Sequence, residues 1–192
     1  MAFASPEALA AIPELRGLIQ RWGAAPFLPH PVEPEAPFPA LARAIVGQQL
    51  SRRAARAIWQ RLSQMYGQEP SAYGLASLEE LRAAGLSRSK ALSLKALAQA
   101  ALEGRLNGLE ARSEEELYRA LTQLPGIGPW TVAMFLMFGL KRPDVWPWQD
   151  LGLRQAASRL FGVGPNELPA FGERFRPFRS HAAWYLWRSL EP

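Results

Sequence analysis

Apolar residues recur along this chain with the spacing of helices, and no stretch alternates in the way a half-buried strand would. Ser5-Pro6-Glu7 predicts a helix start, with Ser5 as cap; the pattern runs through Leu15, Leu18 and Ile19 to Trp22, and Gly23 ends it. Six prolines between Pro26 and Pro39 exclude a helix or sheet interior and predict an extended connector on the surface. Phe27 and Phe38 within it either anchor the connector to the core or edge a binding cleft. Leu41 to Leu50 predicts a helix burying Leu41, Ile45 and Val46, followed by Ser51 as cap of the next. Ser77-Leu78-Glu79-Glu80 opens a further helix, closed by Gly85. Ser87 opens another, with an apolar stripe of Leu94, Leu97, Ala98, Ala101 and Leu102.

The densest local signal lies between Leu117 and Asp150. Ser113-Glu114-Glu115-Glu116 starts a helix whose apolar face is Leu117, Ala120, Leu121 and Leu124. Leu124-Pro125-Gly126-Ile127-Gly128-Pro129-Trp130 then makes a tight turn into a second helix, with Pro129 in its first turn. Trp130 to Leu140 is apolar almost all round and reads as a buried helix. The free amides of such a hairpin suit an anion, although a plain helix–helix connection also uses Gly and Pro. Trp146-Pro147-Trp148-Gln149-Asp150 precedes another amphipathic helix, marked by Leu153, Ala156, Ala157, Leu160 and Phe161. Short helices around 169–175 and from about 180 to 190 complete the chain. The fold class is all-α.

Composition adds limits. With 192 residues, 48% hydrophobic and 20% charged, the chain has the balance of a globular protein able to bury a core. The formal charge of +5 favours a polyanionic partner. Arg52, Arg53 and Arg56 sit at a helix start, where cations oppose the helix dipole; they are either phosphate contacts or a solvated basic face. Cysteine is absent, which excludes disulfides, thiol chemistry and cysteine-held zinc or iron–sulfur groups. The N-terminus lacks the pattern of a signal peptide, and no run approaches a membrane span, so the expected location is the cytoplasm, at a bacterial nucleoid, with no membrane partner.

Four motifs in order resemble the helix-hairpin-helix DNA glycosylases, and within them the 3-methyladenine DNA glycosylase II (AlkA-like) branch. They are Ile-Val-Gly-Gln-Gln-Leu-Ser at 45–51, Leu-Pro-Gly-Ile-Gly-Pro-Trp-Thr at 124–131, Asp150 twenty residues after Trp130, and Arg-Pro-Phe-Arg-Ser at 176–180 followed by Tyr185-Leu186-Trp187. The resemblance implies one fold over residues 1–192, in two helical lobes flanking a DNA-binding cleft. One lobe takes the terminal helices and the connector at 26–39. The other takes about 40–145, with the hairpin at 117–140. Larger relatives add an N-terminal sheet domain for which this chain has no room.

The resemblance also implies a chemistry. Asp150 reads by itself as an ordinary N-cap; by its match to the family it is the catalytic carboxylate, ionised at a helix start and stabilising an oxocarbenium sugar. Trp130 stands where the lyase relatives carry a nucleophilic lysine, which implies a monofunctional enzyme that leaves an abasic site with the strand uncut. Trp130, Met134 and Trp187 match the base pocket, where cation–π stacking favours alkylated, positively charged bases such as 3-methyladenine and 7-methylguanine. Trp146, Trp148 and Trp184 read as core fillers. Asp144, the competing acid, follows Arg142-Pro143 in an expected surface loop. Gln48, Gln49, Gly126, Gly128, Trp130 and Thr131 match DNA-contacting positions, and Gln49 aligns with the wedge that fills the space of an extruded nucleotide. Some relatives have leucine at 49, an acid at 149 where this chain has Gln149, or an aromatic at 134. Backbone carbonyls of Thr122, Leu124 and Ile127 match those holding a Na+ or K+ ion in related proteins; no other cofactor is implied. The partner is double-stranded DNA with alkylated bases, bound by a monomer. The rival readings are a non-catalytic helix-hairpin-helix DNA-binding module, or a glycosylase for mismatched or oxidised bases.

Overall fold

A computed structural model describes residues 5–29 and 33–191. Among them every regular element is helical and there is no strand. None of the described helices is long and apolar enough to cross a membrane. Residues Glu35–Phe135 form one compact unit, and the described residues on either side form a second. The division falls inside the apolar helix after the hairpin, rather than near 145.

In the first of these units, α2 (Pro37–Gly47) packs on α3 (Arg52–Tyr66), α6 (Arg88–Leu102) and α8 (Pro129–Met134). Leu41, Ile45 and Val46 are all fully buried on it. The helix starts earlier than its apolar run because Pro37 and Pro39 sit in its first turn, where a missing N–H costs nothing. It ends at Gly47, not Leu50. Phe38 is an anchor, its ring centroid 5.3 Å from that of Tyr73. Tyr73 belongs to α4 (Pro70–Leu75), a short helix with too few apolar residues to announce itself in the sequence. α5 (Leu78–Ala83) follows, opened by a capping box between Ser77 and Glu80. The Ser77 amide and hydroxyl hold the Glu80 carboxyl below the usual carboxylate range.

On α6, Leu94, Leu97 and Ala98 are buried as expected, but Leu102 is 56% exposed and Ala91 is buried in its stead. In the last turn of α6 Ala100 is buried, whereas Leu102 lies beside Gly74 of α4 with most of its surface uncovered. Lys95 on this helix donates to the carbonyls of Gly74 and Ala76, closing the C-terminus of α4. Then α7 (Glu114–Leu121) starts with a second capping box, Ser113 with Glu116.

The other unit opens with a 3-10 turn, Pro6–Ala11, and α1 (Pro13–Trp22). The single helix expected here is split because Pro13 drives Ile12 into extended backbone (ψ 114°). Helix α1 packs on α11 (Arg179–Arg188), which also packs on α9 (Leu151–Phe161). Phe27 is fully buried between Phe138 and His181, at 5.6 and 5.4 Å between centroids, so it too anchors the connector. Residues Phe135–Gly139 are a π-helical segment, a widened turn the apolar pattern does not reveal. Trp146 is core, its indole N–H donating to the Leu168 carbonyl (2.9 Å) at the start of α10 (Leu168–Phe171). Trp148 is not core: it is 39% exposed, although Trp146 and Pro147 just before it are buried.

Candidate active site

The hairpin turn is built by burial and by one forced conformation. Leu124 and Ile127 are buried, and the Ile127 amide donates to the Leu124 carbonyl (3.1 Å). Between them Pro125 and Gly126 are exposed. Gly126 has φ +76°, and a Cβ there would lie 1.9 Å from Ser93 Oγ on α6, so glycine is required twice over. Gly128 differs: its φ is −98°, and a Cβ would meet nothing within 4 Å. Among the described residues nothing calls for glycine at 128, which leaves its surface open to a close approach from outside. Gly128 then caps α8, whose N1 residue is Pro129. Of the residues from Trp130 to Leu140, those not buried are Trp130, Met134 and Phe138, at intervals of four. Two of the three expected base-pocket residues are therefore reachable from solvent on an otherwise buried helix.

Gln48 and Thr131 act inside the protein. The Gln48 amide donates to the Gly126 carbonyl and to Thr131 Oγ1, both at 2.8 Å. Thr131 itself is 1% exposed, so its side chain is a fastening for the hairpin rather than a surface group. Gln49, next in the chain, is exposed and holds φ +53°, a region side-chain-bearing residues enter at a cost. Of the three carbonyls matched to a cation, that of Leu124 already accepts the Ile127 amide and retains a second lone pair.

In the other unit, Asp150 is the N-cap of α9, and its Oδ1 accepts the Leu153 amide at 2.8 Å. The same oxygen accepts the Trp187 indole N–H at 2.7 Å. Gly152 leaves room for this bond: a Cβ there would press at 3.2 Å on Asp150 Oδ1 and 3.3 Å on the indole. The far side of Trp187 is supported by Phe138, stacked at 6.0 Å with 30° between planes. Phe27, Phe138, Trp187 and Asp150 thus form a continuous line from core to carboxylate. Asp150 and Trp187 are both half-buried.

Asp144 is a different kind of acid. Arg179 reaches its Oδ1 from Nε at 2.7 Å, and Arg176 its Oδ2 from Nη1 at 2.9 Å. The Arg179 backbone amide adds a third donor at 3.2 Å. Asp144 is no loose surface acid: it joins the segment before α9 to the start of α11.

A model of the HhH-GPD superfamily of base excision DNA repair proteins matches residues 42–174 of this chain. The chain belongs to this superfamily. Among HhH-GPD relatives, it is 38% identical over 169 residues to the DNA-3-methyladenine glycosylase 1 of Schizosaccharomyces pombe, covering 82% of this chain and 74% of that protein. With the Escherichia coli DNA-3-methyladenine glycosylase 2 it shares 32% identity over 186 residues, covering 90% of this chain and 64% of the larger protein. The solved structure of an S. pombe 3-methyladenine DNA glycosylase in complex with abasic DNA superposes with a TM-score of 0.83 at 35% identity, over 93% of this chain and 92% of that one.

Three parts of this HhH-GPD site were not anticipated. Gly152 is visible in the sequence as a glycine in a helix's first turn, a costly choice that asks for a packing reason. Phe138 shares the four-residue spacing of Trp130 and Met134. The hydrogen bond from Trp187 to Asp150 joins residues 37 apart in sequence and has no local signal.

Proposed function

We propose that this protein is a monofunctional DNA glycosylase that hydrolyses the N-glycosidic bond of alkylated bases, chiefly 3-methyladenine and with it 7-methylguanine, as the first step of base excision repair. The observation that carries the reading is the Asp150 carboxylate, fixed at Oδ1 by the Leu153 amide and the Trp187 indole. The names of the S. pombe and E. coli relatives support it.

An alkylated base is a good leaving group because it already carries positive charge. The C1′–N bond breaks, its electron pair neutralises the departing base, and the sugar becomes an oxocarbenium cation. A fixed carboxylate of opposite sign lowers the energy of that cation in a site from which water is largely excluded. Water then adds at C1′ and loses a proton, for which Asp150 is the nearby acceptor in this reading. No general acid is needed, and no amine at position 130 is available to form a Schiff base. Trp130, Met134 and Trp187 hold the extruded base, with aromatic faces that favour its charge.

In the same reading the hairpin holds the DNA backbone through amides around Gly126 and Gly128, without reading sequence. Thr122, Leu124 and Ile127 would hold a Na+ or K+ ion through hard carbonyl oxygens, adding positive charge opposite a phosphate. Arg52, Arg53 and Arg56, exposed on α3, would add salt-sensitive affinity. The protein acts on duplex DNA as a monomer in the cytoplasm.

The test is base release from duplexes that each carry one defined lesion, read before and after alkali. Release of 3-methyladenine, with strand breaks only after alkali, is the expected result. Breaks before alkali would overturn the monofunctional assignment, and binding with no release from any damaged duplex would leave a DNA-binding module.

A further inference from the structure

Gln49 stands in a left-handed conformation at the surface, and something must hold it there. Its neighbours on both sides are tied down. From the first turn of α6, Lys90 Nζ donates to the Val46 carbonyl at 2.9 Å and to the Gln48 carbonyl at 2.5 Å. This places a half-buried cation at the C-terminus of α2, where the last carbonyls concentrate negative charge. The Leu50 amide closes the turn on Gly47 (3.3 Å). The Gln48 side chain fastens the same turn to the hairpin through Gly126 and Thr131. The hairpin in turn rests on Ser93, three residues after Lys90 on α6, which touches Gly126 closely enough to exclude any side chain there. Two turns from distant parts of the sequence, 47–50 and 122–128, are thus seated on adjacent positions of one helix and joined to each other.

We propose that Lys90 is a positioning residue for base extrusion: it sets the conformation of Gln49 and couples it to the DNA-gripping hairpin. The inference rests on the glycosylase reading, in which Gln49 fills the space left by the extruded nucleotide. A merely structural lysine would affect folding alone; a positioning lysine also changes extrusion and excision per folded molecule, through Gln49. Burial also pulls the Lys90 ammonium below its ordinary value, because a charge removed from water is disfavoured.

The test compares Lys90→Met, Gln49→Ala and the double variant with the native protein. Extrusion is read by the fluorescence of 2-aminopurine beside the lesion, and excision by single-turnover base release. Melting temperature and affinity for undamaged duplex are measured alongside. Lys90→Met is expected to melt below the native temperature, as the loss of two charge-assisted bonds requires, but to stay folded at the assay temperature and to bind undamaged duplex normally. Its extrusion amplitude and excision rate should fall together by about 10-fold, the scale of losing charge-assisted hydrogen bonds. Because both residues act through one step, the double variant should be no slower than Gln49→Ala alone. Native extrusion and excision in Lys90→Met, or losses that multiply in the double variant, would overturn the proposal. If Lys90→Met does not fold, Lys90→Gln takes its place under the same criteria. A native rate in Gln49→Ala would defeat the wedge assignment and the Lys90 inference with it. No base release by the native protein would defeat the glycosylase reading itself.

Discussion

Asp144 and Asp150 flank the same short segment and differ in the donors that their Oδ1 atoms accept. Asp144 receives two guanidinium groups, Arg179 from a side chain only 12% exposed and Arg176 from one 51% exposed. Asp150 Oδ1 accepts two neutral donors, a backbone amide and an indole. Permanent cations fix a carboxylate by cancelling its charge, whereas neutral donors fix it and leave the charge to act. A carboxylate that must answer a cation formed only in the transition state needs the second arrangement. The difference separates an acid that joins two elements from the acid to which the proposed function assigns the chemistry.

The largest expected effect is on Asp150. Asp150→Asn keeps a cap oxygen for the Leu153 amide but removes the charge, and single-turnover excision should fall by roughly 10²–10³-fold. Melting temperature and duplex affinity should change little. Asp144→Asn should do the reverse. Losing charge-assisted bonds at a part-buried site costs about 2–3 kcal/mol in denaturant unfolding, with the excision rate per folded molecule nearly native. Trp187→Phe keeps a ring for stacking and removes the donor, so excision should slow by about 10-fold, the scale of one hydrogen bond to a charged group. The smallest effect belongs to Arg176→Gln. As the exposed partner it should cost no more than about 1 kcal/mol of stability, measured by the same unfolding curves. A rate defect in Arg176→Gln or Asp144→Asn as large as that in Asp150→Asn would erase the distinction.

What the sequence makes legible is local. Ser51, Ser77, Ser87, Ser113 and Asp150 each accept a backbone amide three residues on, so their caps can be read from four consecutive residues. The hairpin is legible for the same reason, since Gly126 and Pro129 carry backbone requirements within a single turn. What fails depends on neighbours brought in from elsewhere. Leu102 continues a good stripe into solvent, and Trp148 looks like core but is exposed. The bond that holds the Thr131 side chain comes from Gln48, 83 residues away, and has no local signal. The site follows the same division: Asp150 as a cap is local, but its bond to Trp187, the stack on Phe138 and the Lys90 strap are tertiary facts. The family resemblance supplied Trp187 as a residue; only the structure gives it a contact with the carboxylate.

The most direct test of the central claim measures binding to a mimic of the charged intermediate. A duplex with a pyrrolidine in place of the reacting sugar carries a protonated amine where the oxocarbenium charge would develop. The native protein should bind it at least 10²-fold more tightly than an undamaged duplex, as expected of a transition-state analogue. Asp150→Asn should lose that preference while its affinity for undamaged duplex is unchanged, and Asp144→Asn should keep it. Equal preference in the native protein and Asp150→Asn would contradict the account, because the carboxylate would then hold no cation.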